Sequence, residues 1–188
     1  KPLKAQLDYI QSLPKPLIAV IDLLAQGKLV KAEQICKLFL QKNPRNVEGM
    51  RLLSQIALKL GVLDDAEFLL ESALEFSPNN SRIRIEYIQV LRKRQNYAGA
   101  LHQAKVLLEM DKENPQFQSV FAIEAMQSGD FENALIVFDK ILEKIPEDPV
   151  TLTSRGHLLK TCGEREKAID SYRRAIKKYP GHGEAYFS

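Results

Sequence analysis

The stretch GEREKAIDSYRRAIKKYP, residues 163–180, decides the fold. Gly163 interrupts the preceding segment and Pro180 ends the helix that follows, because both residues break regular structure. Between them the apolar side chains recur with a helical period, at Ala168, Ile169, Tyr172, Ala175 and Ile176. This spacing predicts an amphipathic α-helix whose apolar stripe packs against other helices.

The same pattern returns at intervals of 34 residues toward the N-terminus. The glycine position holds Gly129, Gln95, Gly61 and Gly27. The alanine position holds Ala134, Ala100, Ala66 and Ala32, and the proline position holds Pro146, Lys112, Pro78 and Pro44. A period of 34 residues with Ala, an apolar or aromatic residue four positions later and then Pro resembles the tetratricopeptide repeat (TPR).

The resemblance implies an all-α superhelical solenoid of about five helix-turn-helix repeats, forming a single domain over residues 1–188. An additional helix over residues 1–12 is expected to cap the first repeat, and residues 183–188 to begin a truncated sixth repeat. The repeats are placed at 13–46, 47–80, 81–114, 115–148 and 149–182. The chain has no Trp, so it departs from the family pattern in the first helices.

Composition narrows the functional class. The net charge of +3 is too small to predict nucleic-acid binding, and no apolar run is long enough for a membrane span. Cys36 shares a repeat position with Leu70 and Phe138, which predicts a small core residue, and Cys162 lies several repeats away. Two free thiols favour a reducing compartment, the cytoplasm.

Catalytic motifs and clustered metal ligands are missing from the sequence. There is no phosphate-binding glycine loop, serine elbow or zinc-protease motif, and His102, His157 and His182 lie in separate parts of the array. The core position of Cys36 argues against a Cys–His nucleophile pair. We therefore predict no cofactor, no metal and no enzymatic activity in this chain.

The resemblance implies a protein or peptide partner bound in the concave groove formed by the first helices. Carried over position by position, the groove residues are Leu17, Ile21, Arg51, Gln55, Arg82, Glu86, Gln89, Arg92, Lys93, Gln116, Ile123, Ser154 and His157. Six basic residues against Glu86 between residues 81 and 105 suggest a partner with acidic character. A solvated surface with no ligand is the alternative, and the sequence does not decide between the two.

Two further sequence features bear on the class of partner. The stripe Arg173, Arg174, Lys177 and Lys178 is interpreted as a solvated face that also favours the helix C-terminus. TPR clamps for chaperone C-terminal tails need Lys and Asn at defined groove positions. The first such frame holds Leu17, Ile21, Leu52, Arg82 and Glu86, so binding of chaperone tails is not predicted.

The C-terminal residues show a second, shorter resemblance. Residues 180–188, PGHGEAYFS, are similar to the junction at which bacterial TPR proteins run into a sulfotransferase domain. This likeness implies an alternative function, the non-catalytic N-terminal region of a larger bacterial sulfotransferase. The incomplete last helix also leaves open self-association of two chains through the ends of the array.

Overall fold

The computed structural model describes residues 9–178. Residues 9–12 are helical, and ten complete helices follow within the described range, which contains no strand. The first five are α1 (Lys15–Ala25), α2 (Leu29–Lys42), α3 (Val47–Leu60), α4 (Leu63–Phe76) and α5 (Ser81–Lys93). The others are α6 (Tyr97–Met110), α7 (Pro115–Gln127), α8 (Phe131–Lys144), α9 (Pro149–Thr161) and α10 (Arg165–Lys178).

The helices repeat with the predicted period. The second helix of each pair begins at residue 29, 63, 97, 131 or 165, in steps of 34 residues. From α3 onward the first helices keep the same step, beginning at residues 47, 81, 115 and 149. The all-α array of five helix pairs predicted from the sequence is therefore confirmed.

The turn between the two helices of each pair has a left-handed residue. Gly27, Gly61, Gly129 and Gly163 have φ angles of 73°, 80°, 82° and 82°. Glycine adopts this conformation without the steric penalty that a Cβ atom brings. At the turn of the third pair the residue is Gln95, which has a φ angle of 60°. The left-handed backbone conformation is therefore kept although the glycine is absent.

A polar residue before each of the last four first helices caps it. The side chains of Asn46, Asn80, Asn114 and Asp148 accept hydrogen bonds from backbone N–H groups of the first turn. The bond from Gly49 N–H to Asn46 Oδ1 measures 2.8 Å, and that from Thr151 N–H to Asp148 Oδ2 also measures 2.8 Å. These caps satisfy backbone donors that the helix itself leaves unpaired.

The two most regular positions of the second helices are buried. Ala32, Ala66, Ala100, Ala134 and Ala168 are 0–2% exposed. Cys36, Leu70, Ala104, Phe138 and Tyr172, four residues later, are also buried. The prediction that Cys36 is a core residue is confirmed, and its side chain contributes to packing.

The chain divides into two compact units, between Gln95 and Asn96. The N-terminal unit has a core of Leu17, Val20, Ala32, Cys36, Leu52, Leu53 and Ile56. The C-terminal unit has buried clusters around Leu142, Leu152 and Ala175 and around Leu159, Ala168 and Tyr172. The single domain over residues 1–188, with the repeat limits given above, stays a prediction.

Several expectations concern residues outside the described range. These are the start of the N-terminal helix, the terminator Pro180, the truncated sixth repeat at residues 183–188, and the likeness of residues 180–188 to a sulfotransferase junction. Within the described range, no helix is long and apolar enough to cross a membrane.

Candidate functional site

A cavity of about 500 Å³ opens on the first-helix face of the N-terminal unit. Four of the predicted groove residues come together in it, namely Ile21 of α1, Arg51 and Gln55 of α3, and Arg82 of α5. Tyr9, Ile10, Leu24 and Leu52 are the other lining residues in the part of the chain that the structure describes. The cavity thus combines aliphatic side chains with a small number of hydrogen-bonding groups, the usual composition of a binding site for a ligand.

Tyr9 and Ile10 were not among the predicted site residues. The Tyr9 hydroxyl donates a hydrogen bond to Glu48 Oε1 and accepts one of 3.2 Å from Arg51 Nη2. Burial, and then the hydrogen bond to Glu48, raise the pKa of Tyr9 above its ordinary value. The segment before α1 therefore forms one wall of the cavity as well as preceding the first repeat.

Arg51 lies at the centre of an ion network. Its side chain is only 2% exposed. Its Nε donates to Glu48 Oε1 and Oε2 at 2.9 and 3.0 Å, and its Nη1 donates to Glu86 Oε1 at 2.8 Å. Burial by itself lowers the pKa of Arg51, but the two carboxylates more than offset it and hold the guanidinium charged. Arg51 thus lies at the cavity as its groove position predicts, but its charge is already compensated by Glu48 and Glu86.

Arg82 is the cation that remains open to solvent at this site, with 53% of its side chain exposed. Its Nε lies 3.7 Å from Glu86 Oε1, and its guanidinium lies over the Tyr9 ring, 4.9 Å from the ring centroid. The Glu86 oxygen also accepts a hydrogen bond of 3.2 Å from Gln55 Nε2. Glu86 and Tyr9 thereby position Arg82 beside the cavity while its other nitrogens stay available.

Farther along α5, Gln89 and Lys93 are exposed and Arg92 is half-buried. Residues 82, 86, 89 and 93 follow each other at helical spacing and share one side of α5. Lys93 therefore extends the basic edge that begins at Arg82.

The basic cluster predicted for the third repeat does not form one patch. Arg84 is buried, and its Nη2 donates to the Pro78 carbonyl at 2.6 Å. Arg94 turns toward α4, where it pairs with Asp64 and, at 2.8 Å from Nε, with Glu67. Leu17 is likewise corrected from groove to core, since it is fully buried.

In the C-terminal unit, the predicted residues lie on α7 and α9. Gln116 is exposed and Ile123 is half-buried on α7, whereas Ser154 is half-buried and His157 is exposed on α9. His157 Nδ1 lies 3.2 Å from the Tyr172 hydroxyl, and the two rings meet edge to face with centroids 5.5 Å apart. His157 thus has a packing role against α10.

The two cysteines, which carry the thiol groups of the described residues, differ in burial. Cys36 Sγ donates to the Gly49 carbonyl at 3.3 Å, and burial raises the pKa of its thiol to about 11. A thiol with this pKa is almost entirely protonated near neutral pH and is a poor nucleophile. Cys162 is a free, exposed thiol. No group of His, Cys, Asp and Glu that could hold a metal ion occurs among residues 9–178.

Comparison with known families identifies the repeat. The family model of the cytochrome c-type biogenesis protein H TPR domain matches residues 37–151, more than half of the chain. The chain belongs to this family. A general tetratricopeptide repeat model matches residues 151–182 as well, so the TPR resemblance predicted from the 34-residue period is confirmed.

Curated relatives are similar over short stretches. The TPR repeat-containing protein MJ1345 of Methanocaldococcus jannaschii is 35% identical over 57 residues, which are 30% of this chain and 18% of that protein. The CTR9 homolog of Arabidopsis thaliana is 33% identical over 61 residues, 32% of this chain and 6% of that protein. The similarity thus covers less than a fifth of either relative.

Solved structures share the fold over most of their length. YrrB, described as a TPR protein with an unusual peptide-binding site, superposes with a TM-score of 0.73 at 19% identity, covering 89% of this chain and 87% of that one. MamA from Desulfovibrio magneticus RS-1 gives 0.78 at 14% identity, with 89% and 94% covered. A TPR protein from Parabacteroides merdae gives 0.79 at 18% identity, with 98% and 73% covered.

The family assignment defines the general role. TPR arrays are protein-interaction scaffolds, typically without catalytic activity of their own, and their partners are proteins or peptides. In this chain, the N-terminal unit presents a cavity with the properties of such a binding site.

Proposed function

We propose that the first-helix face of the N-terminal unit binds an extended peptide segment that carries a large apolar residue next to acidic residues. The observation that carries this proposal is the cavity of about 500 Å³, which brings Ile21, Gln55 and Arg82 together from three different helices. YrrB, a protein of the same fold, is described as having a peptide-binding site, which makes a peptide the first class of ligand to test.

The apolar side chain enters between Ile21, Leu24 and Leu52. Burial of a Leu or Phe side chain contributes about 1.5–3 kcal/mol. Gln55 borders the same space and supplies an amide for the peptide backbone. Together these residues account for affinity, and the helices that carry them keep the site open before the ligand arrives.

The preference for acidic residues comes from Arg82 and Lys93. Both side chains are exposed, whereas the charge of Arg51 is held by Glu48 and Glu86. A carboxylate of the ligand can pair with Arg82 without first breaking a buried ion pair. Exposed charges of this kind act mainly on the association rate and on specificity, and salt screens them.

Selection from a displayed library of random short peptides tests the proposal. On the wild-type chain we expect enrichment of peptides with Asp or Glu next to a large apolar residue. The variant R82E/K93E should lose the acidic enrichment and retain the apolar preference. Fluorescence anisotropy of one enriched peptide should show binding that weakens at high salt for wild type only.

The matched control is K31E/K42E, which makes the same change in charge at exposed residues of α2. It should select the same peptides as wild type. Identical selections by R82E/K93E and by wild type would contradict the acidic preference. Selection of no peptide by the wild-type chain would contradict the site.

The reducing cytoplasm remains part of the proposal, supported by the two free thiols Cys36 and Cys162. A membrane-impermeant maleimide should label Cys162 in lysed cells and leave it unlabelled in intact cells. Labelling in intact cells would place the chain outside the cytoplasm.

The sulfotransferase alternative depends on residues 180–188 alone. A strand and a phosphate-binding loop encoded beyond Ser188 would support it, whereas further repeats would contradict it.

A further inference from the structure

The outward side of α4 combines acidic side chains with an exposed aromatic ring. The helix carries five carboxylates and no Lys or Arg. Two of them pair with Arg94, but Asp65, Glu71 and Glu75 are exposed and form no salt bridge with any residue of the described chain. This surface is therefore negative, although the whole chain has a small positive net charge.

Phe68 lies at the middle of this acidic side. Its exposed fraction of 68% is the largest among the exposed large hydrophobic residues of the described chain. Asp65 and Glu71 lie one helical turn before and after it. The ring also borders a cleft of about 170 Å³, whose described lining combines Leu53, Ala57 and Leu69 with the charged side chains of Glu33, Lys37 and Asp65. An aromatic residue in this setting is a suitable anchor for a protein contact.

The equivalent helix three repeats later, α10, has the opposite charge. It carries six basic and two acidic residues. Ile169 is 41% exposed, and Arg165 and Arg173 lie one turn before and after it. Both arginines are exposed, and neither forms a salt bridge within residues 9–178.

α10 also offers a recess for an apolar side chain. A cavity of about 640 Å³ in the C-terminal unit is lined, among the described residues, by Lys160, Gly163, Arg165, Ala168, Ile169 and Tyr172. Its walls thus combine apolar surface with basic groups, the complement of an aromatic side chain surrounded by carboxylates.

We propose that the α4 face of one molecule binds the α10 face of a second copy. Phe68 enters the cavity beside Ile169, and the carboxylates around Phe68 pair with Arg165 and Arg173 of that copy. Because the two faces differ, a pair of molecules keeps one free α4 face and one free α10 face, and association continues head to tail. This contact is independent of the peptide site on the first-helix face.

Sedimentation velocity of the whole chain tests the proposal. The wild type should form dimers and larger species as its concentration rises at low salt, and should dissociate at about 0.5 M NaCl, where exposed charges are screened. The variants D65K/E71K and R165E/R173E each reverse one face. Each alone should be monomeric over the concentration range in which the wild type associates.

Mixing the two variants distinguishes a head-to-tail contact from other assemblies. Each variant retains the face that the other has lost, and the two reversed faces also carry opposite charges, so an equal mixture should associate although each variant alone stays monomeric. A chain that carries all four substitutions exchanges the charges and should regain association. F68S should weaken association of the otherwise unchanged chain at least tenfold, since the apolar anchor is removed.

The control is E132K, at an exposed residue of α8 without a salt bridge in the described chain, which should associate like wild type. Helical circular dichroism verifies that each variant is folded. The proposal is overturned if the wild type stays monomeric at all concentrations, if either face variant associates like wild type, or if the mixture stays monomeric. Binding of α4 only to a different, basic protein would overturn it as well.

Discussion

Gln95 shows how one residue can hold a backbone conformation that it does not favour. Its φ of 60° is left-handed, where the other four repeats have glycine. A left-handed conformation destabilises an L-residue by about 1–2 kcal/mol. Glycine avoids this strain in the folded state, but the greater conformational entropy that it gives the unfolded chain offsets part of the gain. We expect Q95G to raise the free energy of unfolding by about 0.5–1 kcal/mol in urea denaturation followed by circular dichroism.

The reverse substitution at Gly61 is the matched control. A Cβ atom there would meet nothing within 4 Å, so only the backbone conformation, with φ of 80°, is tested. G61Q should lower the free energy of unfolding by about as much as Q95G raises it. A lower midpoint for Q95G would show that the Gln95 side chain stabilises the turn.

The two cysteines should differ in reactivity. Cys36 is fully buried with a thiol pKa of about 11, whereas Cys162 is exposed. With an aromatic disulfide reagent at mildly alkaline pH, the Cys162 thiol of the native chain should react rapidly. The Cys36 thiol should react only when the chain unfolds. C162S should remove the rapid phase, and rapid loss of both thiols in the native wild type would contradict the buried position of Cys36.

The site residues show what a repeat position can and cannot predict. The family positions brought Ile21, Gln55 and Arg82 to one cavity. They could not show that Arg51 is enclosed by two carboxylates, because this depends on Glu48 one turn away and Glu86 in the next repeat. Charge near a groove therefore indicates a basic surface only after the pairing of each cation is known.

At the scale of the helices, Gly156 allows α9 and α10 to approach closely. A Cβ atom at this position would lie 2.4 Å from Cε1 of Tyr172. G156A should displace the ring from His157 and destabilise the chain by about 1–3 kcal/mol, as overpacking does. In the background of Y172A, where the ring is absent, the same substitution should have little further effect on the denaturation midpoint.

The alanine position of the second helices is a second point of close packing. Ala134 of α8 is fully buried, and A134L should lower the free energy of unfolding by about 1–3 kcal/mol. Ala98 is exposed on α6 of the same unit, so A98L adds equal volume without crowding. Equal midpoints for A134L and the wild type would contradict the packing at this position.

The helices could be predicted because the pattern that forms them repeats along the sequence. The contacts between helices were harder to predict. The 34-residue steps of glycine, alanine and proline located all five helix pairs. The caps at Asn46, Asn80, Asn114 and Asp148 follow the same step and could have been found as a polar column before each first helix. The contacts of Tyr9 with Glu48 and Arg51 join residues about 40 positions apart, and no periodic signal reports them.

For the whole molecule, the distribution of charge is more informative than its sum. A net charge of +3 conceals an acidic α4, a basic α10 and a basic edge on α5. Repeats that share a backbone can therefore carry different surfaces, and a TPR array can hold several partners at once. The proposed peptide site and the proposed contact between copies use different faces of the N-terminal unit.

We propose above that a peptide binds at the cavity lined by Gln55 and Arg82. The most direct test replaces Gln55 with a photoreactive phenylalanine analogue and irradiates the chain with a peptide enriched by the library selection. The control places the same analogue at Val30, which is exposed on α2. We expect a peptide adduct at position 55 and none at position 30. An adduct at position 30 with none at position 55 would contradict this proposal.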